Sequence, residues 1–245
     1  MIVYPGVESA GCFGSQFSVE PDRGLCVTST RIGVSRKKTL YLGLCVLRSP
    51  FFVEKERERM DLLQQAAAAW KELTEYTYRI TYGKSCVLHE ILLGFDRAEF
   101  YHLAGFQHLK DIAFPVRFPH AKTIDVILSG KLTEADIAKS ENYESIRERL
   151  TAITKLKAGL DTSFTVYQFK PDSLPFSTRI TAEHLISAEC GDLVFLFTDK
   201  ENGGRAFSKS IFLKRPGRDF RQNQKALAVL KVERENGETI CLYSR

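Results

Sequence analysis

Histidine is the side chain whose proton affinity lies closest to neutrality, so it is the first place to look for acid–base chemistry. Two of the five histidines, His102 and His108, fall in residues 95–112, Phe-Asp-Arg-Ala-Glu-Phe-Tyr-His-Leu-Ala-Gly-Phe-Gln-His-Leu-Lys-Asp-Ile. The spacing there specifies a short helix. Asp96 suits the cap, Glu99 three residues later completes a capping box, and Phe95 with Phe100 forms a hydrophobic staple. Gly105 suits the left-handed residue that stops the helix. At about 100° per residue, Phe100, Leu103 and Ala104 share one face and His102 points roughly the opposite way. One imidazole is thereby held on a well-defined helix away from its apolar side, with His108 and Lys110 just past the glycine. The ordinary alternative is a histidine that merely faces solvent.

Other chemical signals fail on spacing. Gly83-Lys84-Ser85 lacks the glycine five positions upstream that a phosphate loop needs, and position 78 is Tyr. His89-Glu90 lacks the second histidine of a zinc peptidase, since position 93 is Leu. His89 alternates with apolar neighbours and reads as a strand residue, and neither His120 nor His184 has an evident partner. The six cysteines (Cys12, Cys26, Cys45, Cys86, Cys190, Cys241) form no Cys-x-x-Cys pair. That argues against a disulfide framework or metal site and for a reducing, cytoplasmic setting. A net charge of +5 permits a nucleic-acid partner without requiring one. No apolar run approaches membrane-spanning length, so no membrane partner is expected. Arg36-Lys37-Lys38 and the apolar residues after it mimic a secretion signal but start far from the N-terminus, and read more simply as a buried strand.

The elements that must hold these residues follow an α+β pattern. Residues 1–59 have no clear rhythm and read as an irregular N-terminal extension. Met60, the one methionine besides Met1, stands before a strong helix and reads as an alternative start, a genuine irregular arm being the other reading. Residues 60–245 form the main domain. Residues 54–75 read as a helix with Leu62, Leu63, Ala66, Ala67, Trp70 and Leu73 on one face. Two strands, 76–82 and 85–95, follow as a hairpin turning at Gly83-Lys84. Helices are expected at 122–132 and 141–159, with Lys139, Arg147, Arg149, Lys155 and Lys157 as a solvated face. Strands are expected at 164–169, 177–180, 193–198, 206–213, 226–234 and 239–244, the last two joined at Asn236-Gly237. Alternation over 206–213 puts Phe207, Lys209, Ile211 and Leu213 on one face and Ser208, Ser210 and Phe212 on the other. A basic loop, 214–225, carries Lys214, Arg215, Arg218, Arg221 and Lys225 around Phe220.

Phe-x-His-Leu-x-Gly-Phe-x-His-Leu-x-Asp-Ile resembles the signature of the phage-associated nuclease-like domains grouped with barnase, EndoU, the RNA-cutting colicins and RelE, and is most similar to their fourth subgroup. Ser210-Ile211-Phe212 followed by Arg221-Gln222-Asn223-Gln224 resembles that family's second signature, and the resemblance runs from about Met60 to the C-terminus. It implies the barnase/RelE-like nuclease fold, N-terminal helices packed on a curved antiparallel sheet whose concave face holds the site. It also implies metal-independent, cofactor-free cleavage of RNA, with the ribose 2′-OH attacking the adjacent phosphorus. The chain would then be a toxin-like or effector-like endoribonuclease of phage or mobile-element origin, with RNA and a neutralising protein as partners. On that reading His102 is the general base or acid, with His108 in reserve. Lys110 or Lys209 supplies positive charge, and Ser210 hydrogen-bonds the phosphate. Gln224 orients substrate, Arg215, Arg218 and Arg221 hold the backbone, and Phe220 stacks on a base. The alternative is a binding module of the same fold that recognises RNA or a protein without cleaving; a structural accessory protein is a third.

Overall fold

The computed structural model describes residues 60–200 and 204–234 and the backbone of 239–242. The expectations about 1–59, including the irregular extension and the start at Met60, lie outside the described residues, as does the turn at Asn236-Gly237. Helix α1 spans Leu62–Leu73, capped by Asp61, whose carboxylate accepts the Gln64 N–H at 2.8 Å. The hairpin strands are β1, Thr77–Lys84, and β2, Val87–Gly94. They are joined at Ser85-Cys86 rather than at Gly83-Lys84, and both turn residues have positive φ, 52° and 62°. Two left-handed residues in a two-residue loop match the twist of the flanking strands, which favours this turn although neither residue is glycine.

Next come α2 (Glu99–Ala104), α3 (Thr123–Leu128), α4 (Glu134–Ile137) and the long α5 (Tyr143–Thr162). The remaining strands are β3 (Phe164–Gln168), β4 (His184–Cys190), β5 (Asp192–Lys200), β6 (Arg205–Leu213), β7 (Lys225–Ala226), β8 (Ala228–Arg234) and β9 (Thr239–Leu242). Residues 177–180 form no strand. β4 was not foreseen, because its first five residues are all buried and leave no alternation to read.

The strands form one nine-stranded sheet in the order β7-β3-β4-β5-β6-β2-β1-β8-β9. The class is mixed α+β, as expected, but the sheet is not a plain antiparallel meander. The β1–β2 hairpin is inserted between β6 and β8, and β2 meets β6 in parallel at only two positions, Leu92 with Arg205 and Leu93 with Ala206. β7 and β8 are parts of one segment that pairs with β3 at one end and β1 at the other, so the sheet nearly closes on itself. The Leu227 N–H between them donates to the Val166 carbonyl at 2.8 Å.

Both faces of the central strands are covered, which is why 193–198 is a continuous apolar run. Val194 and Leu196 of β5 join the main core with α1 residues such as Trp70 and α5 residues such as Ile153. Phe195 and Phe197 point the other way, into a second cluster with Phe169, Leu185 and Phe220. The rings in this cluster meet edge to face at 5.0 Å for Phe197–Phe220 and 5.5 Å for Phe195–Phe220, the favourable geometry for aromatic pairs.

On the first face α5 approaches β4 at a glycine. A Cβ on Gly159 would lie 2.7 Å from the Cβ of Ala188, closer than packed carbons tolerate. Gly159→Val should therefore lower stability by about 2 kcal/mol. Urea unfolding followed by circular dichroism will check this, and an unchanged midpoint would mean that α5 does not sit against β4 here.

Candidate active site

The site forms where β6 parts from β2. Beyond Ala206 the β2-side edge of β6 has no strand partner among the described residues, and α2 packs there. Three hydrogen bonds position α2 and the turn after it. Trp70 Nε1–H donates to the Asp96 carbonyl at 2.9 Å, Arg149 Nη1–H to the Leu103 carbonyl at 3.3 Å, and Asn142 Nδ2–H to the His108 carbonyl at 3.2 Å. Asp96 caps the turn through the Ala98 N–H at 2.7 Å. Gly105 stops α2 with φ of 90°. It also makes room for Arg149, whose Cδ would lie 3.2 Å from a Cβ at that position. Phe100, Leu103 and Ala104 are buried as the spacing required.

His102 leaves α2 on the exposed side and reaches the backbone of Lys209 in β6. Its proton affinity is held below the ordinary histidine value, first by burial, then by the positive charge of Arg149, then by His108. The Lys209 backbone, whose carbonyl favours the protonated ring, opposes that shift. His102 is therefore neutral at neutral pH, the state a general base needs. The structure brings His102, His108 and Arg149 together. Lys110 is exposed and is not among the groups acting on His102.

The strand beneath has one residue too many. Thr198 pairs with Ser208 and the next residue, Phe197, pairs with Ser210, so Lys209 is a β-bulge. The bulge overturns the expected faces. Ser208 lies on the helix-facing side with Ile211 and Leu213, while Phe207, Ser210 and Phe212 lie on the other, where Lys209 also points. The Lys209 ammonium is occupied there by Asp199 at 3.1 Å and the Thr181 hydroxyl at 3.0 Å. Its side chain is thus turned away from His102, and only its backbone meets the ring. Ser210, half-buried, shares the Lys209 peptide and the face of Phe212.

Two residues that the sequence reading set aside belong to this cluster. Arg149 is half-buried on α5, its guanidinium 4.6 Å from the centre of the Phe212 ring. It forms no ion pair with a carboxylate among the described residues. Burial, then the Arg215 charge, disfavour its cation, but an arginine stays charged at neutral pH. A signal was present: position 149 is three past Ile146 and four before Ile153, which places it beside the buried stripe and not on the opposite face. Glu99, read only as a capping residue, lies one turn from His102 with its carboxylate against β6. Burial pushes it up to about 7, opposed by the Asp96 and Ser208 backbone and the Ser208 hydroxyl. Among the described residues its Oε2 has no hydrogen-bond partner, and neither does the Thr198 hydroxyl nor Nδ1 of His184; Ser208, Thr198 and His184 follow one another across β6, β5 and β4 in direct register. Glu99 thus ends a buried polar row.

The other expected substrate contacts divide. Arg221 is held by Asp219 at 2.8 Å and Glu189 at 3.6 Å. The Gln224 amide is tied to the Lys170 backbone, accepting its N–H at 2.7 Å and donating to its carbonyl at 3.1 Å. Phe220 is 6% exposed, a core ring without a free face. Arg215 pairs with Glu148. Arg218 pairs with no carboxylate among the described residues. His120 stacks on Tyr101 at 3.8 Å, and buried His184 packs on Tyr82 at 6.2 Å. Among the described residues no three His, Cys, Asp or Glu side chains gather as a metal site would, and no helix is long and apolar enough to cross a membrane.

Raising the Glu99 carboxyl from the ordinary 4.5 to about 7 means that the unfolded chain releases this proton first. Its contribution to stability is complete below pH 4.5 and is lost as pH rises through 7, a swing on the order of 3 kcal/mol. Glu99→Gln, which cannot ionise, should flatten this part of the pH–stability curve, leaving the variant the more stable partner at pH 8 relative to pH 5. Denaturant titrations of both proteins across that range will check it; parallel curves would show that Glu99 is not buried in its ionised form.

Residues 62–242 match the family model described as phage-Barnase-EndoU-ColicinE5/D-RelE like nuclease4. The match spans most of the chain, which therefore belongs to that family, a nuclease family associated with phage. No curated protein and no solved structure matches the chain.

Proposed function

From membership of that nuclease family as premise, we propose that the chain is an endoribonuclease that cleaves single-stranded RNA by attack of a ribose 2′-OH on the adjacent phosphorus. The observation that carries this reading is a neutral histidine beside an arginine that pairs with no carboxylate among the described residues, at the edge of β6. The internal nucleophile needs a base for its proton and a cation for the charge that develops on the phosphate. His102 takes the 2′-OH proton. Arg149 faces the non-bridging oxygens; its planar fork suits a phosphate better than an ammonium would. His108, close enough to influence His102, returns a proton to the departing 5′ oxygen. No step in this scheme requires a metal. The resemblance placed positive charge on Lys110 or Lys209; the arrangement of side chains favours Arg149.

His102→Ala should lower the cleavage rate by roughly 10²–10⁴-fold. Arg149→Ala should lower it by about 10²-fold or more, with Arg149→Lys recovering only part. Quenched fluorescent RNA oligonucleotides in the presence of a chelator will measure this, and the products should carry 2′,3′-cyclic phosphates. Expression in a bacterial host should arrest growth, and His102→Ala should relieve the arrest. Intact RNA with wild-type protein, or equal rates for wild type and His102→Ala, would overturn the reading.

The same assay gives a pH dependence. The base works in its neutral form, and its proton affinity is lowered. On its acid limb the rate should rise with pH through a midpoint below the ordinary histidine value of 6.5. A midpoint above 6.5 would mean that His102 is not the group whose deprotonation limits the rate.

A further inference from the structure

On the face of β6 opposite the main core, a cavity of about 380 Å³ opens between the loop before β4 and the loop after β6. Its apolar lining is Phe212, Ile180 and the edge of Phe220, with Leu213, which packs on the other face, at its margin. Its rim carries the Ser177 and Thr178 hydroxyls and three guanidiniums, Arg179, Arg215 and Arg218. We infer that this cavity is the subsite for the nucleotide next to the cleaved bond, its base on the apolar lining and its phosphate among the three arginines.

Volume, charge and position each support this. The volume lies in the range of small-ligand sites, roughly 300–1,000 Å³, and apolar and polar groups share its lining in the way a nucleotide, part base and part phosphate, would require. Arg179 and Arg218 are exposed and pair with no carboxylate among the described residues; Arg218 lies over the Phe176 ring, 6.0 Å from its centre. Arg215 is paired with Glu148, but exposed pairs are weak, about 0–1 kcal/mol, and yield to a better anion. Three guanidiniums round one cavity repel one another until an anion enters, and arginine binds phosphate oxygens in a forked, directional way. Phe212 fixes the position: its ring lines the cavity and also underlies the Arg149 guanidinium. A phosphate at Arg149 and a nucleotide in the cavity would therefore be neighbours on one strand. Both faces of the Phe212 ring are already approached, by Arg149 and by Phe220 at 6.2 Å, so the base rests on its edge and on the aliphatic residues beside it. Arg179, Ser177 and Thr178 come from a segment expected to be strand. Arg221 and Gln224, held by other groups, lie outside the subsite.

The inference rests on the ribonuclease reading, and the test separates the two. Binding of the four ribonucleoside 5′-monophosphates, the four nucleosides and inorganic phosphate is measured by calorimetry on full-length His102→Ala, alone and combined with Arg179→Ala/Arg218→Ala. Both arginines are exposed, so the fold should survive, and matching circular dichroism spectra will verify that. At least one monophosphate should bind, more tightly than its nucleoside or phosphate alone, and the double substitution should weaken it about tenfold or more. In the otherwise wild-type enzyme the same substitutions should raise KM for RNA with little loss of kcat. No monophosphate binding, binding untouched by the double substitution, or phosphate binding as tightly as the nucleotide would overturn the subsite. If cleavage depends on His102 while KM ignores Arg179 and Arg218, the subsite fails and the ribonuclease stands. If RNA stays intact but monophosphates bind through these arginines, the ribonuclease fails and the cavity remains a nucleotide site.

Discussion

The candidate site depends on one backbone irregularity. By inserting Lys209 opposite no partner on β5, β6 reverses which of its side chains face the helices. A bulge costs a ladder hydrogen bond locally and bends the strand. Here the loss coincides with the place where β6 leaves β2, an edge that lacks a second strand among the described residues. The Lys209 backbone there lies near a side chain, His102, whose protonated form it favours. Without the bulge Lys209 would share the side of Ile211 and Leu213. Its ammonium would then lie in the main core rather than on Asp199, an expensive place for a charge.

The helices act on the same edge from the other direction. α2 has only six residues, too few to be stable alone, and is positioned by its neighbours. Trp70 holds its start, Arg149 accepts the role of closing its end, and Asn142 fixes the turn beyond it. Asp111 adds to this by accepting from the Ser140 hydroxyl at 2.7 Å and the Glu141 N–H at 2.8 Å. The loop after His108 is thus fastened to the start of α5, the helix that supplies Arg149. Gly105 serves two ends, a left-handed stop and clearance for the Arg149 stem. A side chain there would strain the turn and push the guanidinium aside together.

Much of this was legible in the sequence where local rules govern. The stop at Gly105, the buried face of Phe100 and Leu103, and the α1 and α5 helices all follow from short-range spacing, whereas Asp96, expected to cap α2, closes the turn before it and leaves Ala98 at the N-cap without a side-chain cap. What was not legible depended on distant partners. The bulge at Lys209 leaves no mark in 206–213, whose alternation reads as unbroken, so Ser210 and the residues after it were set on the wrong faces relative to Ser208. β4 could not be seen because both its faces are covered. Arg149 could have been noticed, since it falls beside the apolar stripe of α5. Glu99 could not, because nothing in a capping box tells whether its carboxylate will be covered by a strand more than a hundred residues later. The resemblance supplied the family, but positions for the cations required the fold.

Which cations remain available is a matter of neighbours rather than number. The loop after β6 looks uniformly basic, yet its charges are unequal. Asp219, held well below the usual carboxylate range, first by its hydrogen bond to Arg221, takes up Arg221 and Lys214. Gln224 and Asn223 spend their amides on the Lys170 backbone and the Ser173 carbonyl, which closes the loop over the phenylalanine cluster. These residues build the second face of the sheet. Arg149, Arg179 and Arg218 are left over by the same accounting, one at the β6 edge and two at the cavity rim, with Phe212 between them. A net charge as modest as this chain's says little about a polyanionic ligand; guanidiniums that pair with no carboxylate among the described residues, beside a neutral imidazole, say a good deal more.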